Sequence, residues 1–210
     1  MKKSEYYEEK GLDRIIGLSD GVFAFSLTLL AIDLVVPDLQ KAQDTLLYQG
    51  LMDESFRFLS FFLTFIITGA YWSNHHRLFR FITRYDGILM RMNMFFLLFI
   101  ILMPFITKLI NEYGHLQLAV IIAALGYAAP GLLLGVIWHY ASHQRVFIHK
   151  DLPADFVRLT TIKNYISPSI FLLSIPFSFI KPTYTLYFWL ILFPAGIIAN
   201  YFYPDMIEED

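Results

Sequence analysis

Ionisable side chains inside long apolar stretches are the residues of this sequence best suited to chemistry. The stretch "RIIGLSDGVFAFSLTLLAID" carries Asp20, and twelve uncharged residues follow it before Asp33. A carboxylate in apolar surroundings is costly, needs a partner and tends to mark function. Arg14 precedes Asp20 by six residues, about 9 Å along a helix axis and on a different face. We therefore expect both residues to find partners on other helices.

The best hydrogen-bond donors for Asp20 lie in "YWSNHHRLFR", residues 71–80, and in "RMNMFFLLF" further along the chain. They are Trp72, Asn74, His75, His76, Arg77 and Asn93. Indole, amide, imidazole and guanidinium groups all donate hydrogen bonds. We predict a polar network that locks the first three long helices together near one end, and on the functional interpretation this network holds the first helix in place.

Other kinds of site are disfavoured by spacing and composition. His75 and His76 are neighbours, so on a helix they point about 100° apart, and no Glu or Cys stands at ligand spacing; we expect no metal site. The arginines between residues 77 and 91 have the helical spacing of a voltage sensor, but they cluster where membrane orientation alone requires positive charge. We therefore expect no voltage sensor. The chain has no cysteine, and hydrolase, dinucleotide and potassium-filter motifs are absent. We therefore expect neither an enzyme nor a conventional carbonyl filter.

The composition indicates the medium around these residues. The chain has 210 residues, of which 57% are hydrophobic and 16% charged, whereas soluble domains average roughly 45–50% apolar and about 25% charged. Mean hydropathy is +0.53. These values predict an integral membrane protein, and a net charge of −2 argues against nucleic-acid binding. The N-terminus "MKKSEYYEEK" lacks the apolar region of a cleaved signal peptide.

Six apolar segments are long enough to cross a bilayer, which takes about 20 helical residues. They are residues 13–36, 55–80, 87–110, 116–140, 162–180 and 183–203. The fifth is the weakest, because Pro168 and Pro176 interrupt it. The segments are too continuous for barrel strands. We predict an all-α membrane protein with six transmembrane helices and one domain over residues 1–210.

The basic residues predict the orientation of these helices. Twelve of the sixteen lysines and arginines fall at the N-terminus, at the turn between the second and third segments or at the loop between the fourth and fifth. Cytoplasmic loops carry the excess of lysine and arginine. Both termini are therefore expected in the cytoplasm.

Helix periodicity selects one edge of the first segment. Phe25, Leu29 and Ile32 follow one another at i, i+4 and i+7, with Thr28 beside them, so they share a helix face. Periodicity alone is more typical of a core helix packed on its neighbours. A threonine in this position usually bonds back to its own helix.

The residues described so far resemble a known family. Arg14, three intervening residues and then "LSDGVFAFSLTLLAIDL" resemble the R-x-x-x-F-S-D signature that opens the first helix of the transmembrane-protein-175 type, the lysosomal potassium channel and its prokaryotic homologues. "YWSNHHRLFRFI" and "RMNMFFLLFIILMPF" are similar to the second and third helices of that family, in the same order. The resemblance is strong over residues 10–110.

The resemblance implies a six-helix repeat, potassium-selective conduction without a P-loop and a pore lined by the first helix. Prokaryotic members carry one repeat and form homotetramers, which matches a chain of 210 residues and suggests a bacterial inner membrane. The signature falls on Arg14, Ser19 and Asp20, the hydrophobic constriction on Phe25, and a threonine implicated in selectivity on Thr28. Later pore-facing positions fall on Leu29 and Ile32, and Trp72, His75 and His76 match the supporting polar network.

Two residues depart from the family pattern. Leu18 stands where the signature has Phe, which changes packing only. Phe25 stands where relatives commonly have Ile or Leu. A phenyl ring at a four-fold constriction is bulky, so the narrowest point lies either at Phe25 or at Leu29.

We therefore expect a passive cation channel that favours potassium ions, needs no cofactor and assembles in the lipid bilayer as a homo-oligomer, most simply a tetramer. A proton leak through the same pathway is the nearest alternative, because His75 and His76 titrate near physiological pH. A secondary transporter is the rival from another class, but it would need substrate groups at the midplane and usually an internal repeat. A membrane-embedded enzyme is weaker still, since no nucleophile or metal set accompanies Asp20.

Overall fold

Helices form every regular element of the described chain. The computed structural model describes residues 3–39, 41–145 and 147–190. The helices are α1 (Lys3–Leu30), α2 (Asp44–Asp53), α3 (Ser55–Phe81), α4 (Gly87–Ile101), α5 (Met103–Tyr113), α6 (Gln117–Ser142), α7 (Ala154–Ser174) and α8 (Pro182–Trp189). Short 3₁₀ turns follow α1, α6 and α7. The all-α prediction is therefore confirmed for the described residues.

Four helical segments of the described chain are long and apolar enough to cross a membrane: Gly11–Asp33, Ser55–Phe81, Gly87–Tyr113 and Gln117–Ser142. They correspond to the first four predicted spans and make the protein an integral membrane protein.

The predicted fifth and sixth spans are not among these four segments. The helix of the fifth, α7, begins eight residues before position 162 and gives way at Ile175 to a 3₁₀ turn that contains Pro176. The sixth is helical over Pro182–Trp189, and its residues 191–203 lie outside the described part of the chain.

Two local features differ from the sequence prediction. The predicted third span is divided at Leu102 into α4 and α5, because Pro104 in the first turn of α5 lacks the N–H that a continuous helix needs there. The predicted linker 37–54 contains the ten-residue helix α2. None of the residues of α2 is buried, so this helix lies on the surface of the single chain.

The centre of the bundle is α6, which packs closely against α7. Glycines on α6 permit this approach: a Cβ added at Gly131 would lie 2.8 Å from the ring of Pro168, and one added at Gly135 would lie 2.7 Å from the ring of Tyr165. In the most apolar stretch of α6, 56% of the residues are buried, compared with 28% in the corresponding stretches of α1 and α3. The first and third helices therefore lie at the periphery of the chain.

The connections at one end of the bundle are tied together by backbone hydrogen bonds. Ile82, after α3, and Ile148, after α6, form an isolated antiparallel bridge. The amide of Thr83 donates to the carbonyl of Phe147 at 2.7 Å, and the amide of His149 donates to Phe81 at 3.1 Å. These bonds hold the turn after α3 against the loop between α6 and α7.

Candidate functional site

The first helix presents two opposite faces. Its inner face is made of side chains three or four residues apart, which pack against α3, α4 and α5. They are Leu12, Ile15, Ser19, Phe23, Ser26 and Leu30. Ser26 anchors this face, because its hydroxyl donates to the carbonyl of Ile100 at 2.6 Å. The helix is therefore fixed in rotation, and its other face is left uncovered by this chain.

The uncovered face of α1 has two edges. At about 100° per residue, four large apolar side chains fall within about 60° of one another, and the small residues occupy the neighbouring 80° or so. The large edge is Leu18, Phe25, Leu29 and, in the 3₁₀ turn that follows α1, Ile32; the small edge is Gly17, Gly21, Ala24, Thr28 and, in the same turn, Ala31. Phe25 is 63% exposed and Ile32 75% exposed, and Leu29 between them is half-buried. Two of the three residues matched to the constriction and the pore thus lie on the surface of the single chain.

Thr28 is exposed beside this apolar edge. Its hydroxyl donates to the carbonyl of Phe25 at 2.7 Å, three residues back along its own helix, as the sequence predicted. A threonine hydroxyl has one proton and two lone pairs. Since the proton is held by the helix backbone, the oxygen remains an acceptor at the surface.

Asp20 finds a partner on another helix. The indole N–H of Trp72 on α3 donates to its carboxylate at 2.9 Å. The ring of His76 lies one turn further along α3, with its centroid 5.9 Å from that of Trp72. Arg14 lies on the exposed surface of α1. This contact joins α1 to α3 at the edge of the uncovered face.

A second polar contact lies deeper and joins three helices. The amide of Asn93 on α4 donates to the hydroxyl of Ser19 at 3.0 Å, and its oxygen lies 2.9 Å from Nε2 of His75 on α3. All three side chains are fully buried. The imidazole stacks between Phe79 and Phe96, with centroid distances of 4.2 Å and 5.2 Å. Ser19, Asn93 and His75 therefore fix α1, α4 and α3 relative to one another.

Asn74 and Arg77 are turned away from Asp20. The amide of Asn74 donates to Asn164 on α7 at 2.7 Å, and the guanidinium of Arg77 donates to Asn74 at 3.1 Å. The predicted set of donors is thus divided: Trp72 and His75 face α1 and α4, whereas Asn74 and Arg77 face α7.

A polar cluster around Asp33, just after the C-terminal end of α1, was not predicted from the sequence. The amide of Asn111 on α5 donates to Asp33 at 2.6 Å, and Asn111 also contacts Ser60 on α3. Arg57 lies 3.8 Å from Asp33 and 2.7 Å from Glu54. The available signal was Asp33 itself, a second acid at the end of an apolar run. The middle of α1 and the turn that follows it are therefore both tied to α3.

Comparisons with known proteins show similarity to ion channels. The family described as endosomal/lysosomal potassium channel TMEM175 matches residues 14–104. A potassium channel of Chamaesiphon minutus is 28% identical over 200 residues, which cover 93% of this chain and 95% of that protein. An endosomal/lysosomal proton channel TMEM175 of Danio rerio is 33% identical over 106 residues, 48% of this chain but only 20% of that protein.

A solved structure extends the match over nearly the whole fold. The crystal structure of a lysosomal potassium-selective channel TMEM175 homolog from Chamaesiphon minutus superimposes with a TM-score of 0.78 and 26% identity, and covers 91% of this chain and 99% of that one. The matched residues include the whole of α1 from Arg14, together with Trp72, His75 and Asn93. Residues 14–104 are therefore similar to the TMEM175 family, whose members are ion channels and not enzymes, and the fold is similar to that of one such potassium-selective channel.

Proposed function

We propose that this chain is a potassium-selective cation channel, one six-helix repeat that assembles as a homotetramer around a pore lined by α1. A relative from Chamaesiphon minutus, which this chain matches along nearly its full length, is named a potassium channel. A single α1 cannot enclose a pathway, whereas a cyclic oligomer supplies several copies around an axis.

The observation that carries this proposal is the chemistry of the uncovered face of α1. Between residues 56 and 66 the exposed side chains of α3 are all large and apolar, among them Leu59, Phe62 and Phe65, as suits contact with lipid. On α1 the exposed face combines a large apolar edge with a row of small residues. Small residues mark close approach between membrane helices. The small edge therefore suits contact with a neighbouring subunit, and the large edge then faces the axis.

In this assembly Phe25, Leu29 and Ile32 form a hydrophobic neck without a P-loop. Narrow apolar necks gate by dewetting, so the neck must widen before ions pass. Phe25 or Leu29 is its narrowest point. The oxygen of Thr28, whose proton is engaged by the carbonyl of Phe25, is an acceptor that replaces part of the hydration shell of a cation. Potassium sheds water more easily than sodium, and such a neck favours it.

The remaining parts of the proposal concern support and placement. Asp20 keeps the inner mouth negative, and its bond to Trp72, with the buried Ser19–Asn93–His75 contact behind it, holds α1 in position. The permeant ion is potassium and no cofactor takes part. The channel lies in a bacterial inner membrane with both termini in the cytoplasm, as the distribution of basic residues favours.

Flux through purified protein in liposomes tests this function. Wild-type protein should carry potassium faster than sodium, and Thr28→Ala should lower that ratio without abolishing potassium flux. Thr161→Ala is the matched control, because Thr161 on α7 also bonds its own helix backbone, at 2.9 Å from the carbonyl of Val157. An identical ion ratio for wild type and Thr28→Ala would refute the role of the threonine, and absence of potassium flux would refute the channel.

Proton conduction through the same α1-lined pathway is the second candidate. It is favoured by the name of the relative from Danio rerio, a proton channel, and by exposed His76 beside the inner end of α1. A pH gradient imposed across liposomes with equal potassium on both sides and valinomycin to balance the charge distinguishes the two candidates, because only a proton pathway collapses it.

A further inference from the structure

A stripe of polar side chains runs along the buried face of α3, away from the uncovered face of α1. Its members are Ser60, Thr64, Thr68, Tyr71 and His75, at most 8% exposed. They are spaced by four, four, three and four residues, so they fall within about 80° of one another. From first to last they extend about 22 Å, most of the roughly 30 Å thickness of the hydrocarbon layer.

Hydroxyls from neighbouring helices complete the middle of this stripe. Thr64 lies 2.8 Å from the hydroxyl of Tyr127 on α6 and 2.8 Å from that of Thr107 on α5. The hydroxyl of Tyr71 donates to the carbonyl of Tyr127 at 2.7 Å. The centre of the protomer therefore contains a cluster of groups that both donate and accept hydrogen bonds.

Two atoms on the stripe have no hydrogen-bond partner in the described part of the chain. They are Oγ1 of Thr68 and Nδ1 of His75, both buried. Buried polar atoms that lack a protein partner are usually satisfied by internal water. Residues one turn apart have Cβ atoms about 5–6 Å apart, a gap that one bridging water fills.

The ends of the stripe reach polar groups in the middle of α1 and just after its C-terminal end. Ser60 contacts Asn111, which holds Asp33. At the other end His75 contacts Asn93, and the titratable groups that face it are Asp20 on α1 and His76 on α3. The interior of one protomer thus has polar side chains at each end of the stripe and hydroxyl groups between them.

We propose that this stripe, with Tyr127 and bridging water, carries protons through each protomer by a route separate from the α1-lined pore. Each hydroxyl, water or imidazole accepts a proton on a lone pair and releases its own on the far side. Only O–H and N–H bonds are made and broken, so one proton leaves for each that enters. Asn111 and Asn93 position the ends and take no proton.

Thr68→Val is the variant that separates this route from a purely structural role. Valine has nearly the shape of threonine and removes a hydroxyl that bonds no protein group in the described part of the chain, so no protein hydrogen bond is lost and the fold should be retained. Polar side chains between membrane helices usually serve only to hold the helices together. That role predicts no change in proton flux for Thr68→Val.

The measurement uses purified protein in liposomes with a pH-sensitive dye inside, equal potassium on both sides and valinomycin to hold the voltage at zero. A pH step should drive proton flux through wild type, and Thr68→Val should reduce it by about tenfold, as about 1.4 kcal/mol added to a barrier does. Potassium flux, measured separately, should be unchanged. Thr161→Val on α7 is the matched control and should leave both fluxes unchanged.

The opposite results overturn the inference. Absence of proton flux through wild type would refute the proposed proton route, and so would undiminished proton flux through Thr68→Val. A parallel loss of proton and potassium flux places both ions in one pathway. Absence of potassium flux in wild type would refute the channel proposal alone, because the proton measurement supplies its own potassium conductance through valinomycin.

Discussion

Asn93 is the side chain on which the buried contact of α1, α3 and α4 depends. It bonds Ser19 with its amide and His75 with its oxygen. Asn93→Leu keeps the volume but removes the hydrogen bond that Nε2 of the buried His75 imidazole makes. The loss should be at least about 1 kcal/mol, which lowers the apparent Tm by about 2–4 °C.

Thermal unfolding followed by size-exclusion of the detergent-solubilised protein measures this change. Met94→Leu is the control, because Met94 is the adjacent residue on α4 and is 39% exposed. Equal stability of the two variants would mean that the buried contact contributes nothing to the packing of α1.

At the residue scale, the hydrogen-bond partner of Asp20 was predictable because the sequence offers few donors. Asp20 needed a donor, the second apolar segment offered a short cluster of donors, and Trp72 is the one that bonds it. Asn74 belongs to the same cluster but contacts Asn164. Helical spacing gives the face on which a side chain lies, but the neighbour opposite that face depends on packing, and α7 could not be placed from spacing.

Among the elements, α4 has a well-defined start. Asp86 precedes it, and its carboxylate accepts from the amides of Ile88 at 3.0 Å and Leu89 at 2.8 Å. The hydroxyl of Tyr140 on α6 also donates to it, at 2.6 Å. Partial burial by itself would raise the pKa of Asp86, but these hydrogen bonds and nearby Arg91 outweigh it and hold the pKa below its ordinary value.

Asp86→Ala removes this cap and should cost about 1 kcal/mol at neutral pH. Because the folded pKa is depressed, the contribution of the carboxylate is complete above the unfolded pKa of about 3.9. It is lost as pH falls through the lower folded pKa. The Tm difference between wild type and Asp86→Ala should therefore be constant from pH 7 to pH 5 and shrink in stronger acid.

The exposed Asp155 in the first turn of α7 makes no capping hydrogen bond, so Asp155→Ala should produce little change at any pH. A wild-type advantage over Asp86→Ala that stays the same down to pH 3 would show that the cap acts without its charge.

Element boundaries were predictable where apolar runs end abruptly. The second and fourth predicted spans, residues 55–80 and 116–140, match Ser55–Phe81 and Gln117–Ser142 closely. The start of α7 was missed because its first turns carry charged residues such as Asp155 and Arg158, which hydropathy excludes from a span. The helix α2 was missed because ten residues with little tertiary contact give a weak periodic signal.

For the whole molecule, the arrangement of helices favours the proposed assembly of several chains. The central helix α6 is the most buried of the four spans, whereas α1 leaves a complete face uncovered. This face holds the residues that the sequence selected by periodicity and resemblance. A sequence predicts such a face from its pattern, but the surroundings of the face in the proposed assembly cannot be derived from the pattern of one chain.

The central claim is that the Phe25 edge of α1 lines a water-filled pathway. Since the chain has no cysteine, single cysteines report their own surroundings. Phe25→Cys and Phe62→Cys form a matched pair, with native side chains 63% and 57% exposed on α1 and α3. In liposomes, a charged, membrane-impermeant thiol reagent should modify Phe25→Cys and reduce its potassium flux to that of empty liposomes, and should leave Phe62→Cys unmodified and conducting. Modification of both cysteines alike, or unchanged flux through modified Phe25→Cys, would contradict the account.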